Sequence, residues 1–275
     1  MTTAADANPG AEVFSLRQGR APLLISMPHI GTQIPAPLRD GFEPRALDVE
    51  DADWHLDRLY DFTDALCASV IQPRVARYVI DLNRPPDDTP MYPGASNTEL
   101  CPTRFFDGSP LYREGHAPDV VQRLQRRAHY WQPYHDALRA ELERLLALHG
   151  RVLLWDAHSI RGEIPWLFEG RLPDLNIGTA SGASAHAQIT DAVAAAVGSH
   201  FTQVVNGRFK GGYITRHYGE PARGIHAVQL EMCQHTYMTE APPWAWDAQQ
   251  AARVQPVLRR MVEAALAACL ALPRG

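Results

Sequence analysis

Short apolar runs alternate along the chain with longer amphipathic segments. Apolar runs bounded by proline, glycine and polar residues predict four strands, "PLLIS" (22–26), "RYVIDL" (77–82), "RVLLWDAHS" (151–159) and "IHAVQLEMC" (225–233). Apolar residues at helical spacing predict helices over 53–71, 118–149, 185–198 and 246–272. Because strands alternate with helices, we expect a largely parallel sheet with both faces covered.

The remaining segments are rich in turn-forming residues. Residues 85–115 abound in Pro, Gly, Asp and Asn and predict a long irregular segment, while "GGYITRHYG" (211–219) predicts a loop. No repeat or composition break marks a linker, so residues 1–275 are predicted to form a single domain. Its core is expected at about 22–272, with residues 1–13 flexible.

Composition narrows the class of protein. A hydrophobic content of 45% over 275 residues supports a globular core, and a net charge of −5 without a basic stripe predicts no nucleic-acid partner. Apolar runs at 191–197 and 264–272 are too short to span a membrane, and the N-terminus lacks the features of a secretory signal. These features predict a cytoplasmic protein without a membrane partner.

The four cysteines are scattered and form no CxxC pair, which argues against a disulfide framework and against a thiolate zinc site. Cys67 and Cys269 are predicted to be buried, inert thiols. The role of Cys233 is left open, since this residue stands two positions after the candidate catalytic residue Glu231.

Polar and ionisable residues stand where the predicted strands end. They are His29 in "SMPHIG", Asn83 and Arg84 in "DLNR", Asp156 and His158 in "DAHS", and Glu231 in "QLEM", with Asp53 and His55 at the start of the first predicted helix. Ligands bind at the carboxyl ends of strands in such sheets, so these residues predict an active site. Two or three histidines with a carboxylate and no cysteine form the ligand set of a catalytic zinc.

Each residue alone also has a structural explanation. His158 could be a hydrogen-bonded, half-buried histidine, His29 could satisfy a turn, and Asp53 or Asp51 could cap a helix. Arg84 could pair with a surface acid, and Glu231 could simply end a strand. Their combination at one sheet edge favours catalysis.

Several longer stretches carry a family resemblance. They are "DADWHLDRLYDF", "VIDLNRPPDD", "PTRFFDG", "LWDAHSIRGEIPWLFEGRLPDLNIGT" and "NGRFKGGYITRHYG". Over about residues 22–236 the chain resembles the N-formylglutamate amidohydrolase family, which is distantly related to zinc carboxypeptidases and succinylglutamate desuccinylase. The resemblance implies a three-layer, mixed and largely parallel α/β fold of the phosphorylase/hydrolase (zinc-carboxypeptidase-like) type. It also implies hydrolysis of N-formyl-L-glutamate, a small-molecule substrate, to glutamate and formate in histidine degradation.

The resemblance further implies a metal site. In the wider superfamily an H-x-x-E pair and a later histidine bind zinc, and His29 and His158 match the two histidines. Thr32 stands where the pair has its acid. We therefore assign the middle ligand to Asp53, with His55 and Glu50 as alternatives. Zn²⁺ is the implied cofactor, although these ligand types also suit Mn, Co or Fe.

The remaining roles follow from the resemblance for Glu231 and from the chemistry and placement of the other residues. Glu231 matches the catalytic base, and Asn83 and Arg84 are expected to hold a substrate carboxylate. Asp156 shares a strand face with His158 and is expected to orient it. A second substrate carboxylate requires a second cation, and Gly212 is expected to let the backbone approach the substrate. Candidates for that cation are Arg104, Lys210 and Arg216.

Two other functions fit parts of the pattern. One is a zinc amidohydrolase or carboxypeptidase that acts on another N-acyl amino acid or a peptidoglycan fragment. The other is a non-catalytic protein that binds anions in the same cleft. The presence of both His29 and Glu231 favours an enzyme, because a binding protein needs no base beside a metal.

Overall fold

The structure, a computed structural model, describes residues 13–91 and 97–273. Of residues 1–13, which were predicted to be flexible, Val13 is buried and the others lie outside the described residues. The strands are β1 (Phe14–Arg17), β2 (Leu23–Ser26), β3 (Ser69–Pro73), β4 (Val152–Ile160), β5 (Leu175–Gly178), β6 (Gln203–Val205) and β7 (Ile225–Cys233). The α-helices are α1 (Ala36–Arg39), α2 (Leu56–Leu59), α3 (Val120–Arg126), α4 (Gln132–His149), α5 (Ala187–Val197), α6 (Tyr213–Tyr218) and α7 (Ala248–Ala271). A π-helical turn, Arg127–Trp131, joins α3 to α4.

These strands form one mixed sheet in the order β1-β3-β2-β4-β7-β5-β6. The pairs β3/β2, β2/β4, β4/β7 and β5/β6 are parallel, whereas β1/β3 and β7/β5 are antiparallel. The central strands β2, β4 and β7 are three of the four strands predicted from sequence, and they are buried along their whole length. The predicted mixed, largely parallel α/β fold is thus confirmed.

Helices cover both faces of the sheet. Along β4, Leu153 and Trp155 belong to the core cluster that includes α5 and α7, whereas Val152 and Leu154 pack with α4 in a second cluster. Because side chains alternate along a strand, Asp156 and His158 project on the same side as Val152 and Leu154. The apolar α4-side surface therefore becomes polar at the carboxyl end of β4.

The helix predicted over 53–71 is wrong for most of its length. Only α2 forms within it, and its end becomes β3, which lies between β1 and β2. His55 and Cys67 have φ values of 63° and 51°, which a right-handed helix does not accommodate. The apolar residues of this segment are buried by sheet pairing and by short turns rather than by one helix.

The strand predicted over 77–82 is also wrong. Val79 N donates to Ala76 O at 2.9 Å and Arg84 N donates to Asp81 O at 3.3 Å, so the segment is a series of turns. Its apolar side chains are nevertheless buried in the α4-side cluster. Burial without sheet pairing produces the same run of apolar letters as a core strand.

Smaller differences concern the later elements and the cysteines. The segment "GGYITRHYG", predicted as a loop, contains helix α6, and residues 246–272 form one helix, α7, with Pro256 inside it. Cys269 is buried as predicted, but Cys67 is exposed because it lies in the turn before β3. No helix among the described residues is long and apolar enough to cross a membrane.

Candidate active site

Two histidines and an aspartate meet at the carboxyl end of β2 and β4. The Nδ1 atoms of His29 and His158 lie 3.1 Å apart, and Asp53 Oδ2 lies 3.3 Å from His158 Nδ1 and 3.8 Å from His29 Nδ1. Asp53 is fixed by its backbone N–H, which donates to His29 O at 3.0 Å, and by Ser159 N, which donates to Oδ2 at 3.2 Å. All three side chains are buried. Ligand atoms from distant parts of the chain therefore converge on one point.

A carboxylate faces the far nitrogen of each ring. His29 Nε2 lies 2.6 Å from Asp81 Oδ1, and His158 Nε2 lies 3.2 Å from Asp156 Oδ2. Burial and the nearby Arg77 lower the pKa of His29, which favours the neutral ring. With Nε2–H directed at Asp81, Nδ1 keeps a lone pair. Asp156 occupies the position predicted for it. Asp81 was missed, although it is the first letter of "DLNR".

The charges around these rings favour a cation. Burial would raise the pKa of Asp81, but His29, Arg84 and Arg77 outweigh it and hold that pKa well below its usual range. Burial would likewise lower the pKa of His158, yet the carboxylates of Asp156 and Asp53 hold it well above the ordinary value. The ring of His158 therefore sits where positive charge is stabilised.

The three ligand atoms fit one divalent ion. Bonds of about 2.0–2.1 Å in tetrahedral geometry place ligand atoms roughly 3.3–3.4 Å apart, close to the observed separations of 3.1, 3.3 and 3.8 Å. Asp53 Oδ1 is buried and has no hydrogen-bond partner among the described residues. A buried carboxylate oxygen without a hydrogen-bond partner beside two histidines fits a site that binds a cation.

The alternative middle ligands lie elsewhere. His55 Nε2 is 2.8 Å from Trp244 O, and Glu50 accepts hydrogen bonds from Arg45, from Nε at 2.7 Å and from Nη2 at 2.5 Å. Of the three residues considered from sequence, only Asp53 stands between the histidines.

Glu231 is the register partner of His158 in the parallel pair β4/β7, and both line the same cleft. Burial raises the pKa of Glu231 to about 8; His158 opposes this shift and Asp53 adds to it. The direction is the one predicted from its place after an apolar strand. A buried carboxylate with raised proton affinity beside the histidines is suited to accept a proton.

Arg84 and Asn83 also line the cleft. Arg84 donates from Nε to Thr98 O at 2.9 Å and from Nη2 to Thr98 Oγ1 at 2.6 Å. Asn83 accepts a hydrogen bond from Ile214 N at its Oδ1, which directs Nδ2 to within 2.9 Å of His158 Nε2. Asn83 therefore links helix α6 to His158.

The cations predicted for a second carboxylate are not brought to the cleft. Arg104, Lys210 and Arg216 are exposed and none lines it. Arg104 Nη1 donates to Gly108 O at 2.9 Å, and Arg216 Nε donates to Gly211 O at 2.8 Å. Local backbone carbonyls thus determine where these side chains lie.

Gly212 lines the cleft and also packs closely against Asn83. A Cβ atom there would lie 2.3 Å from Asn83 Nδ2, and Gly212 N donates to Gln229 Oε1 at 2.7 Å. The contact with Asn83 therefore requires a glycine at this position, and the approach of its backbone to a substrate stays a prediction.

The fold and the cleft are those of an enzyme of the α/β class whose polar residues stand at the carboxyl ends of central strands. A family model described as N-formylglutamate amidohydrolase matches residues 21–238, and the chain belongs to that family. It is 51% identical over 259 residues to an N-formylglutamate deformylase of Pseudomonas aeruginosa, covering 93% of this chain and 97% of that protein. It is 49% identical over 258 residues to an N-formylglutamate deformylase of Pseudomonas putida, with coverage of 93% and 96%.

Solved structures show the same fold. An N-formylglutamate amidohydrolase from Ralstonia eutropha superposes with a TM-score of 0.78 at 24% identity, covering 94% of this chain and 97% of that one. A protein of Agrobacterium tumefaciens superposes with a TM-score of 0.71 at 17% identity, covering 95% and 97%.

Proposed function

We propose that this chain is an N-formylglutamate deformylase, which hydrolyses N-formyl-L-glutamate to L-glutamate and formate in histidine degradation in the cytoplasm. The convergence of His29, Asp53 and His158 beside Glu231 carries the proposal, because this set of groups suits hydrolysis of an amide. The two Pseudomonas relatives, which bear this activity as their name, support the choice of substrate.

We further propose that His29, Asp53 and His158 hold one divalent metal ion, with Zn²⁺ as the first choice. Such an ion, when bound, acidifies a water molecule and polarises the formyl oxygen. His29 and His158 contribute Nδ1, and Asp81 and Asp156 orient the two rings from behind.

The protein's own groups would move the proton and hold the substrate. Glu231 takes a proton from the attacking water and delivers it to the amine nitrogen as the C–N bond breaks, so that formate and the amino group of glutamate leave. Arg84 binds a substrate carboxylate through its planar guanidinium, which Thr98 holds in place.

Formate release by the purified protein tests the substrate. N-formyl-L-glutamate should be hydrolysed at a kcat/KM at least about 10²-fold higher than that for N-formyl-L-aspartate or, measured as acetate release, for N-acetyl-L-glutamate. A protein that releases no formate from N-formyl-L-glutamate, or that prefers another N-acyl amino acid, would contradict the proposal.

Metal content tests the site separately from turnover. In His158→Ala the bound metal, measured by elemental analysis, should fall to a small fraction of the wild-type content, because one of three ligands is lost. The control is His116→Ala, which changes an exposed histidine whose Nδ1 faces Glu114 O and should leave the metal content unchanged. Equal metal content in the two variants would exclude His158 as a ligand.

A further inference from the structure

Three arginines among the described residues line the cleft, namely Arg77, Arg84 and Arg208. N-formyl-L-glutamate carries two carboxylates, and we expect each of them to pair with one of these guanidinium groups. Arg77 is buried, donates from Nη2 to Asp81 Oδ2 at 2.8 Å and lies over the Phe106 ring at 4.7 Å. The charge of Arg77 is therefore paired with the carboxylate of Asp81.

Arg84 is placed for the carboxylate next to the reacting amide. It directly follows Asn83, whose Nδ2 lies 2.9 Å from His158 Nε2, and it lines the same cleft as the two histidines. Its guanidinium donates hydrogen bonds to neutral oxygens, those of Thr98 and the carbonyl of Asn83. These bonds hold the guanidinium at the cleft, where its charge acts on Asp81 and can also attract a substrate carboxylate.

Resting on the proposed function, we infer that Arg208 binds the side-chain carboxylate of the substrate and so selects glutamate over uncharged amino acids. Arg208 is half-buried at the cleft, its guanidinium lies 5.4 Å from the centre of the Phe209 ring, and Nη2 donates to Leu167 O at 3.3 Å. It stands two residues before Lys210, one of the cations considered from sequence. Lys210 is exposed and lies outside the cleft.

The backbone around Arg208 is held on both sides. Asn206 Oδ1 accepts hydrogen bonds from Thr179 N at 2.8 Å and Ser181 N at 3.2 Å, and Lys210 O accepts one from Ala180 N at 2.6 Å. The segment that follows β5 thus fixes the turn on which Arg208 stands. A guanidinium on a fixed turn loses less freedom when it binds a carboxylate.

The cleft also contains apolar surface suited to the methylene groups of glutamate. Phe106, Ile160, Leu167 and Phe209 line it together with the arginines. Such a surface with few convergent charges is typical of sites for small charged ligands.

The test compares two substrates that differ only in the distal charge. In Arg208→Gln, kcat/KM for N-formyl-L-glutamate should fall on the order of 10²-fold, mainly through KM, because a charge-assisted bidentate contact is lost. For N-formyl-L-glutamine, kcat/KM should change by less than about threefold, since no charge pairs there. Arg208→Lys should retain part of the preference.

Arg113→Gln, at an exposed position, is the matched control and should behave as wild type. Binding of the product gives a readout without turnover: by calorimetry, the wild-type preference for L-glutamate over L-glutamine should disappear in Arg208→Gln. Equal proportional losses on both substrates, or an unchanged preference, would overturn the inference alone. Wild-type protein that releases no formate from N-formyl-L-glutamate would overturn the proposed function and this inference with it.

Discussion

Buried carboxylates determine which nitrogen atom of each histidine ring faces Asp53. Asp81 and Asp156 occupy the Nε2 sides of His29 and His158, which leaves the two Nδ1 atoms facing Asp53. A carboxylate behind a histidine fixes the ring orientation and makes the other nitrogen a better ligand. Glu231 stands outside this group of three, although it shares the cleft. The proposed metal binding and the proposed proton transfer can therefore be separated by mutation.

We predict that Glu231→Gln keeps its metal and binds N-formyl-L-glutamate but loses on the order of 10²–10⁴-fold in kcat. Glutamine preserves the shape of the side chain and cannot accept a proton at neutral pH. Single-turnover kinetics with metal analysis would measure both effects. Cys233→Ser is the control: its thiol is buried and faces the carbonyls of Leu172 and Pro173, so its effect should be mild. A robust kcat in Glu231→Gln would remove this residue from the mechanism.

At the scale of elements, helix α6 is docked onto the segment that carries Asn83. Ile214 N donates to Asn83 Oδ1 at 2.8 Å, and Tyr213 N donates to Asn83 O at 3.3 Å. Gly212 permits this contact because it has no Cβ. The helix therefore holds the residue that touches His158.

Gly212→Ala should lower kcat/KM by about 10-fold or more, because its Cβ would lie 2.3 Å from Asn83 Nδ2 and would force the two segments apart. Gly41→Ala is the matched control, since the nearest atom to its added Cβ would be 3.5 Å away. Steady-state kinetics of both variants would test this. Similar small losses in the two variants would mean that the docking does not position the active site.

At the scale of the whole molecule, His235 ties two segments that flank the sheet. Its Nε2 lies 2.9 Å from Asp174 Oδ1 and its Nδ1 3.5 Å from Glu240 Oε1, and Gly162 N also donates to Glu240 Oε1 at 2.8 Å. The nearby carboxylate of Glu240 raises the pKa of His235, with Asp174 adding and burial and Arg171 opposing. The protonated ring thus favours the folded chain.

The sign of the pH dependence follows from this raised pKa. The contribution of His235 to stability is fully present below its unfolded pKa of about 6.5 and is lost as the pH rises through the higher folded pKa. The free energy of unfolding should therefore be higher for wild type than for His235→Gln, and this difference should be larger at pH ~6 than at pH ~9. Urea unfolding across this range would measure it, with His116→Gln as the exposed control. A difference that does not vary with pH would show that His235 does not titrate in this way.

Local patterns along the chain determined the central strands and the polar residues at their ends. A strand buried on both faces needs a continuous apolar run, so β2, β4 and β7 were readable, and alternation along β4 placed Asp156 with His158. The family resemblance added the roles of these residues. Over 53–71 and 77–82 the sequence could not distinguish a helix or a strand from irregular structure. Turns and sheet pairing bury apolar residues there, so the apolar pattern resembles that of a regular element.

Only the tertiary structure decided which other residues reach the two histidines and which line the cleft. Asp53 reaches the histidines because its backbone N–H is bonded to His29 O, and Asp81 does so through a series of turns that no periodicity describes. Arg208 lines the cleft whereas Lys210, two residues later, is exposed. The direction of a side chain on an irregular segment depends on contacts with distant parts of the chain, so spacing along the sequence carries no record of it.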